Sequence, residues 1–195
     1  MYGRPTRRAH RLGLRAFEWE VLRSENELAR RVQGPPQSPP DVEVRDVKRF
    51  TGEVNGLFER WVAARPAALV RDEFYLNWRY ADRAGFCMAV AHRAQEVVGL
   101  AVLRAGELHD LLAEPGDELA FRALLVWACA RAQASGAREL TAIVPDSAPE
   151  WLLFQREGFR VRGTRDYLCF RSFQRPAIMS WLFQHWSYSR GDLYL

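Results

Sequence analysis

Glu107, His109 and Asp110 stand together in the run GELHDLLA. A carboxylate or an imidazole in such a place can take a proton from an attacking nucleophile, directly or through water, so all three are candidate catalytic groups for transfer chemistry. In a strand, alternation puts Glu107 and His109 on one face and Asp110 on the other. Tyr75 and Arg79, four apart in RDEFYLNWRY, share a helical face and are candidates to line a substrate pocket. Ordinary structural roles compete with each of these. Asp110 is read first as the partner of an arginine, with Arg79 the evident one. His109 is read first as a hydrogen-bonded or edge residue. Phe74, Trp78, Trp127 and Trp151 read as core aromatics before ligand platforms.

Metal chemistry is not expected. His10, His92, His109 and His185 lie far apart with no ligand-like spacing. The three cysteines, Cys87, Cys129 and Cys169, lack CxxC spacing and sit in apolar surroundings. That pattern suits core packing in a reducing, cytoplasmic compartment.

The unit that must position Glu107 to Asp110 is strand, helix, strand from Gly106 to Val144. Leu108, Leu111 and Leu112 make a short bounded apolar run, as a buried strand does. Pro115-Gly116 is turn chemistry, and Glu114 or Asp117 can cap the helix that follows. From Leu119 to Ala132 apolar residues run almost all round, broken by Arg122 and Arg131, so burial on most sides is expected. Gly136 is placed to stop the helix in the left-handed conformation. Leu140, Ala142, Ile143 and Val144 supply the second strand. This spacing implies a parallel pair with a right-handed crossover, which opens a crevice at its carboxyl end beside the helix N-terminus.

The rest of the chain frames that unit. Residues 1–40 read as an N-terminal extension and a Pro-rich linker (GPPQSPP), residues 41–175 as the main domain, and 176–195 as a tail packed on it. Residues 17–22 fit strand and helix equally well. Asp41–Val47 alternates as a strand. Val54, Leu57, Phe58, Trp61 and Val62 recur at helical spacing, and Asp72 caps a second helix. Phe86–Ala91 and Val97–Leu103 read as a hairpin, Ala148–Arg156 as a short helix ending at Gly158-Phe159, and Arg160–Phe173 as a strand region with a turn near Gly163–Asp166. The 195 residues carry a net charge of +4, and 48% are apolar, ample for a core. The basic residues are almost all Arg and form no stripe with a reading element, so nucleic acid is not an expected partner. The longest clean apolar run, Ala123 to Ala130, is far short of the roughly 20 residues that span a bilayer. Met1 to Arg15 is basic without an apolar centre, so no secretory leader is expected.

The order strand, helix, helix, three strands, helix, strand, helix, strand over residues 41–173 resembles the GNAT superfamily of acyl-CoA-dependent N-acyltransferases. LLFQREGF (Leu152–Phe159) is similar to that family's short helix ending in Gly-Phe. YLNWRY resembles a segment of bacterial GNAT-like proteins that carry two such domains in tandem. The resemblance implies an α/β fold with a mixed, mostly antiparallel sheet, one central parallel strand pair, and helices on both faces. It implies acetyl or acyl transfer from a coenzyme A thioester to a small-molecule amine, with acetyl-CoA or another acyl-CoA as co-substrate.

It further implies a cofactor half-site: backbone N–H groups near Leu112 and Ala113 for the thioester carbonyl, Phe121 and Arg122 at the helix start, Ser147 where an Asn is usual, and Phe154 where a proton-donating Tyr is usual. The family's Q/R-x-x-G-x-G/A loop corresponds here to Gly116–Phe121, with Leu119 and Phe121 at the small positions. Asp117 and Glu118 add negative charge where a phosphate would sit, and carboxylates there stabilise the helix while repelling an anion. The alternative implied by these departures is a catalytically inactive module that packs against a second GNAT-like domain or forms a dimer.

Overall fold

The computed structural model describes residues 2–3, 7–16, 18–32, 38–171 and 179–192. The chain begins with β1 (Tyr2–Gly3), α1 (Arg7–Ala16) and β2 (Glu20–Arg31), followed by β3 (Glu43–Val47) and α2 (Glu53–Ala63). Next come β4 (Ala67–Ala68), α3 (Glu73–Tyr80) and the strands β5 (Phe86–Arg93), β6 (Glu96–Arg104) and β7 (Glu107–Ala113). The crossover helix α4 (Glu118–Ala134) leads to β8 (Glu139–Ala142), α5 (Pro149–Arg156) and β9 (Arg160–Phe170). The tail carries α6 (Met179–His185), β10 (Trp186–Ser187) and a 3-10 turn at Arg190–Asp192. Phe17, most of the Gly34–Pro40 stretch and Ile178 lie outside the described residues.

Eight strands form one sheet in the order β1-β9-β2-β8-β7-β6-β5-β3. Every neighbouring pair in it is antiparallel except β7 with β8. Of the residues 17–22, whose pattern fits strand and helix alike, Glu20, Val21 and Leu22 begin a strand, β2, which pairs with both β8 and β9. The turn expected near Gly163–Asp166 is an irregularity inside β9, where the register with β2 jumps from Asn26↔Gly163 to Ser24↔Tyr167.

Helix α4 is what makes β7 and β8 parallel. Asp117 caps it, its side chain accepting the Ala120 N–H, and Gly136 ends it at φ 76°. Ala120, Leu124, Ala128 and Ala132, four apart, are each fully buried against the sheet. The β6–β7 turn comes close to the start of β8: a Cβ on Gly106 (φ +83°) would lie 2.6 Å from the Glu139 carbonyl oxygen, so only glycine fits there.

The sheet carries a core on each face. Leu28, Leu103, Leu108, Phe154 and Phe159 pack with α4 on one side. Phe50, Leu57, Leu76, Tyr80, Leu100 and Leu112 pack with α2 and α3 on the other. Full burial of one such leucine is worth about 1.5–3 kcal/mol. A smaller cluster of Leu22, Ile143, Leu168, Trp186 and Tyr188 seats the tail. Among the described residues no helix is long and apolar enough to cross a membrane.

Two expectations of burial fail. Phe74 is 81% and Trp78 55% exposed. The Asp72 cap, which accepts the Tyr75 N–H at 2.8 Å, sets the phase of α3 so that Leu76, Arg79 and Tyr80 face inward. Cys87, the second residue of β5, is exposed, whereas Cys129 and Cys169 are buried.

Candidate functional site

The centre of β7 is bulged. Asp110 pairs with Val102 on β6, but the next pair is Leu108 with Leu103, which leaves His109 as an extra residue. A bulge turns two successive side chains to the same side of a sheet. His109 and Asp110 therefore both meet Tyr80: the His109 ring lies 6.3 Å from it and 5.0 Å from Phe86, and Asp110 accepts the Tyr80 hydroxyl. Glu107 lies beside them, 3.8 Å from His109 Nε2. The alternation that set Asp110 apart from Glu107 and His109 is thus broken by one inserted residue, and all three groups gather on one side.

Asp110 is indeed paired with an arginine, but with Arg71 and not Arg79. Arg71 Nε donates to Asp110 Oδ1 at 2.8 Å, the Ser189 hydroxyl donates to the same oxygen at 2.7 Å, and Arg71 also holds Asp192. Arg79, in the last turn of α3, instead donates to the Gly191 carbonyl at 2.9 Å. Arg71 immediately precedes the helix cap and enters beneath the sheet; Arg79 sits on the face that meets the tail. From the tail, Arg190 reaches Glu107 at 3.2 Å, the Thr141 hydroxyl at 3.1 Å, and Glu27.

These charges alter one another. Burial alone would lower the Arg71 guanidinium, but Asp192 and Asp110 raise it above its ordinary value. Burial raises the Asp192 carboxyl despite Arg71, and burial together with Asp110 raises the Tyr80 hydroxyl. Burial would raise Glu27, but Arg162 and Arg190 overcome it and hold the carboxyl low. His109 is pushed down to about 4, by burial first and then by the charges of Arg190, Arg79 and Arg104, with Asp110 opposing.

Both oxygens of Asp110 are occupied, so it is no open proton acceptor. His109 is neutral at pH 7, and among the described residues neither ring nitrogen has a hydrogen-bond partner. Of the three candidates, it is the one with a lone pair that no described residue occupies, although both its nitrogens are buried. Tyr75 is half-buried, with a buried hydroxyl that also has no partner among the described residues and that burial, then the charges of Asp192 and Asp110, raise above its ordinary value.

The parallel register of β7 and β8 covers only Glu107↔Thr141 and Leu108↔Ala142. Past it the strands part. Leu112 and Ala113 keep their β6 partners, Leu100 and Gly99, and have no β8 partner. Trp61 of α2, Arg65 just after it, Glu150 and Phe154 of α5, and Ser187–Ser189 of the tail close round the gap, leaving about 30 Å³. That is room for about one water molecule.

No family model matches the chain, and no curated protein matches it. Solved structures do. The chain aligns with a GCN5-related N-acetyltransferase from Anabaena variabilis with a TM-score of 0.58 and 11% identity, over 86% of this chain and 44% of that one. A GCN5-related N-acetyltransferase from Kribbella flavida aligns with a TM-score of 0.51 and 16% identity, over 80% and 61%. L-PGS from Bacillus licheniformis aligns with a TM-score of 0.53 and 13% identity, over 93% and 70%. The chain thus spans less than two thirds of the Anabaena and Kribbella proteins. It has the GCN5-related N-acetyltransferase fold.

The N-terminal end of α4 is filled by the chain itself. Asp117 caps α4 and is held by Arg93 Nη2 at 3.0 Å. Its carboxyl is lowered chiefly by Arg93 and further by the Ala120 N–H, against the effect of burial. Glu118 pairs with Arg156 at 3.1 Å. Phe121 and Phe154 are buried edge-to-face with ring centres 4.9 Å apart, and Phe154 meets Phe159 in the same way. Arg122 faces out and bonds Glu157 at 2.9 Å; Ser147 is exposed in the loop after β8.

An acyl-CoA pyrophosphate does not fit this helix end: two carboxylates already stand there, and the aromatic side chains pack into core. Among the described residues no group of three or more His, Cys, Asp or Glu is disposed to hold a metal.

The sequence reading missed Arg71, Arg190, Asp192 and Ser189. Arg71 stands next to the recognised Asp72 cap, but nothing in its spacing ties it to Asp110. The tail residues join β7 only through tertiary contact.

Proposed function

We propose that the protein transfers an acyl group to an amine at the β7–β8 crevice, with a weak hold on the nucleotide end of any coenzyme A thioester. The observation that carries this reading is the bulge at His109, which sets a neutral imidazole, without a hydrogen-bond partner among the described residues, beside Glu107 at the place where the parallel strands separate. His109, or Glu107 through a water, accepts the proton of the incoming amine. Tyr75 and Arg79 line the acceptor side. The backbone N–H of Ala113, which points away from β6, stabilises the negative charge that develops on the acyl carbonyl oxygen. A cytoplasmic setting, with acyl-CoA at its cellular concentration and no metal, suits this chemistry.

The test is release of free thiol from acetyl-CoA and longer acyl-CoAs in the presence of a panel of amines. Turnover lost in His109→Ala supports the reading; no turnover and no binding heat at millimolar acyl-CoA overturn it.

A specific observation favours a second reading. The α4 N-terminus is neutralised by Asp117 and Glu118, and the crevice is about 30 Å³. A GNAT-like module that serves as a structural half, packed on a second such domain or on a copy of itself, has no need of either feature to be open. A protein that stays monomeric and turns over acyl-CoA excludes it.

A further inference from the structure

We propose that residues 186–192 are a built-in occupant of the acceptor side of the crevice, and that the site beneath them takes a peptide-like ligand bearing a cation and a carboxylate one residue apart. This deepens the acyl-transfer reading by naming the acceptor's class, and rests on that reading only for the word acceptor. Across the sheet face the tail makes the contacts of a bound ligand. Its cation, Arg190, is held by Glu107 at 3.2 Å, Thr141 at 3.1 Å, and Glu27. The intervening Gly191 carbonyl takes the Arg79 guanidinium at 2.9 Å. Its carboxylate, Asp192, takes Arg71. Three receptor groups thus read three successive units of chain: cation, carbonyl, anion.

The tail's fit is close in shape and incomplete in hydrogen bonding. A methyl on Gly191 would overlap the Tyr80 hydroxyl and lie 2.7 Å from Asp110 Oδ2. Yet Asp192 Oδ1, Arg190 Nε, both His109 nitrogens and the Tyr75 hydroxyl are buried without a partner among the described residues. Buried polar groups in a permanent core are nearly always satisfied. Three of these atoms, the two His109 nitrogens and the Tyr75 hydroxyl, belong to the seat and stay behind when the tail leaves, so a ligand with further donors and acceptors fills it more completely than the tail does. His109, at the bulge, is one of them, so a ligand in this seat lies against the proposed base.

The tail is held as an intramolecular competitor at an effective concentration on the order of millimolar. A free ligand therefore binds weakly to the parent chain and tightly once the tail is expelled. The test uses the full chain carrying Gly191→Ala and a fluorescent, acetylated and amidated YSRGD peptide as probe. Hydrogen exchange is expected to show residues 186–192 deprotected while β5–β8 stay protected, and the probe is expected to bind at least about tenfold tighter than to the parent. Probes with Arg or Asp replaced by Ala are expected to lose that gain. Arg190→Ala, which leaves the Gly191 seat undisturbed, is expected to give a smaller gain in the same direction.

Three results overturn the inference: a variant tail that stays protected, a sheet that unfolds along with the tail, or a released tail with no gain in probe binding. Probe binding is read without acyl-CoA, so its failure is distinct from an absence of acyl transfer.

Discussion

The two approaches to the β7–β8 crevice are closed by opposite means. At the α4 end, apolar rings fill the space, and the outermost carboxylate, Glu118, pairs with Arg156 at the rim, their side chains 60% and 67% exposed. At the tail side, charges themselves fill the space: Arg71, Asp110 and Asp192 have side chains at most 1% exposed. Rim charges pair weakly because water screens them. Buried charges depend on their partners, since an uncompensated one forfeits its hydration with no return. The donor end is thus closed cheaply and the acceptor side expensively, and each substitution below probes one side against the other.

The largest difference is expected from Arg71→Ala. It leaves Asp110 and Asp192 buried without their shared cation and is expected to cost about 3–5 kcal/mol in urea unfolding. Glu118→Gln, which breaks an exposed pair, is expected to change stability by less than about 1 kcal/mol. Equal costs would break the comparison.

The next is a pH effect confined to the tail side. His109 has an ordinary value of 6.5 that falls to about 4 in the fold. The unfolded chain therefore binds a proton at a pH where the folded one does not. Its contribution is intact above the unfolded value and is lost as pH falls from about 6.5 to about 4, by roughly 3 kcal/mol in all. His109→Phe, which keeps a ring against Phe86 and Tyr80, is expected to flatten that part of the acid limb in urea titrations at pH 7 and pH 4. An unchanged acid slope would show that His109 is already charged or solvated.

A smaller change is expected at the donor end, and in binding more than in folding. Asp117→Asn with Glu118→Gln keeps a capping side chain and removes two negative charges from the α4 N-terminus. At about 0.3–1 kcal/mol each, the pair is expected to tighten acyl-CoA binding roughly three- to thirty-fold by titration calorimetry. No change would mean that the 30 Å³ gap, and not charge, keeps the thioester out.

This division also explains what the sequence could reveal. The α4 crossover, its Asp117 cap, the Gly136 stop and the β5–β6 hairpin are written in local pattern, and the structure has each of them. At the α4 N-terminus only the Asp117 cap is legible in local chemistry; Glu118 and Phe154 acquire a meaning through the family resemblance alone. The acceptor side was not legible in this way. One inserted residue at His109 moved Asp110 across the sheet, because strand alternation carries no mark of a bulge. Arg79 seemed the natural partner of Asp110 on charge alone; Arg71 won on geometry that only the packing of α3 under the sheet defines. Arg190 and Asp192 lie about 80 residues beyond β7, and their place in the site follows from tertiary burial alone.

The smallest effect tests the exposed face of α3, where the helix that shapes the acceptor side turns outward. Phe74 and Trp78, 81% and 55% exposed, lie four apart on that face, while Leu76 and Tyr80 hold the helix to the core. An apolar pair in water contributes little to the isolated fold, so Phe74→Ser with Trp78→Ser is expected to shift urea stability by no more than about 0.5 kcal/mol at low protein concentration. A partner that covers these rings binds the folded chain and not the unfolded one, and so adds stability that grows with its concentration. If the parent chain is stabilised on concentration and the double variant is not, a second copy covers this face and the structural-module reading gains. If neither changes, the rings serve no self-association, and the acceptor side stands as the part of the molecule with work to do.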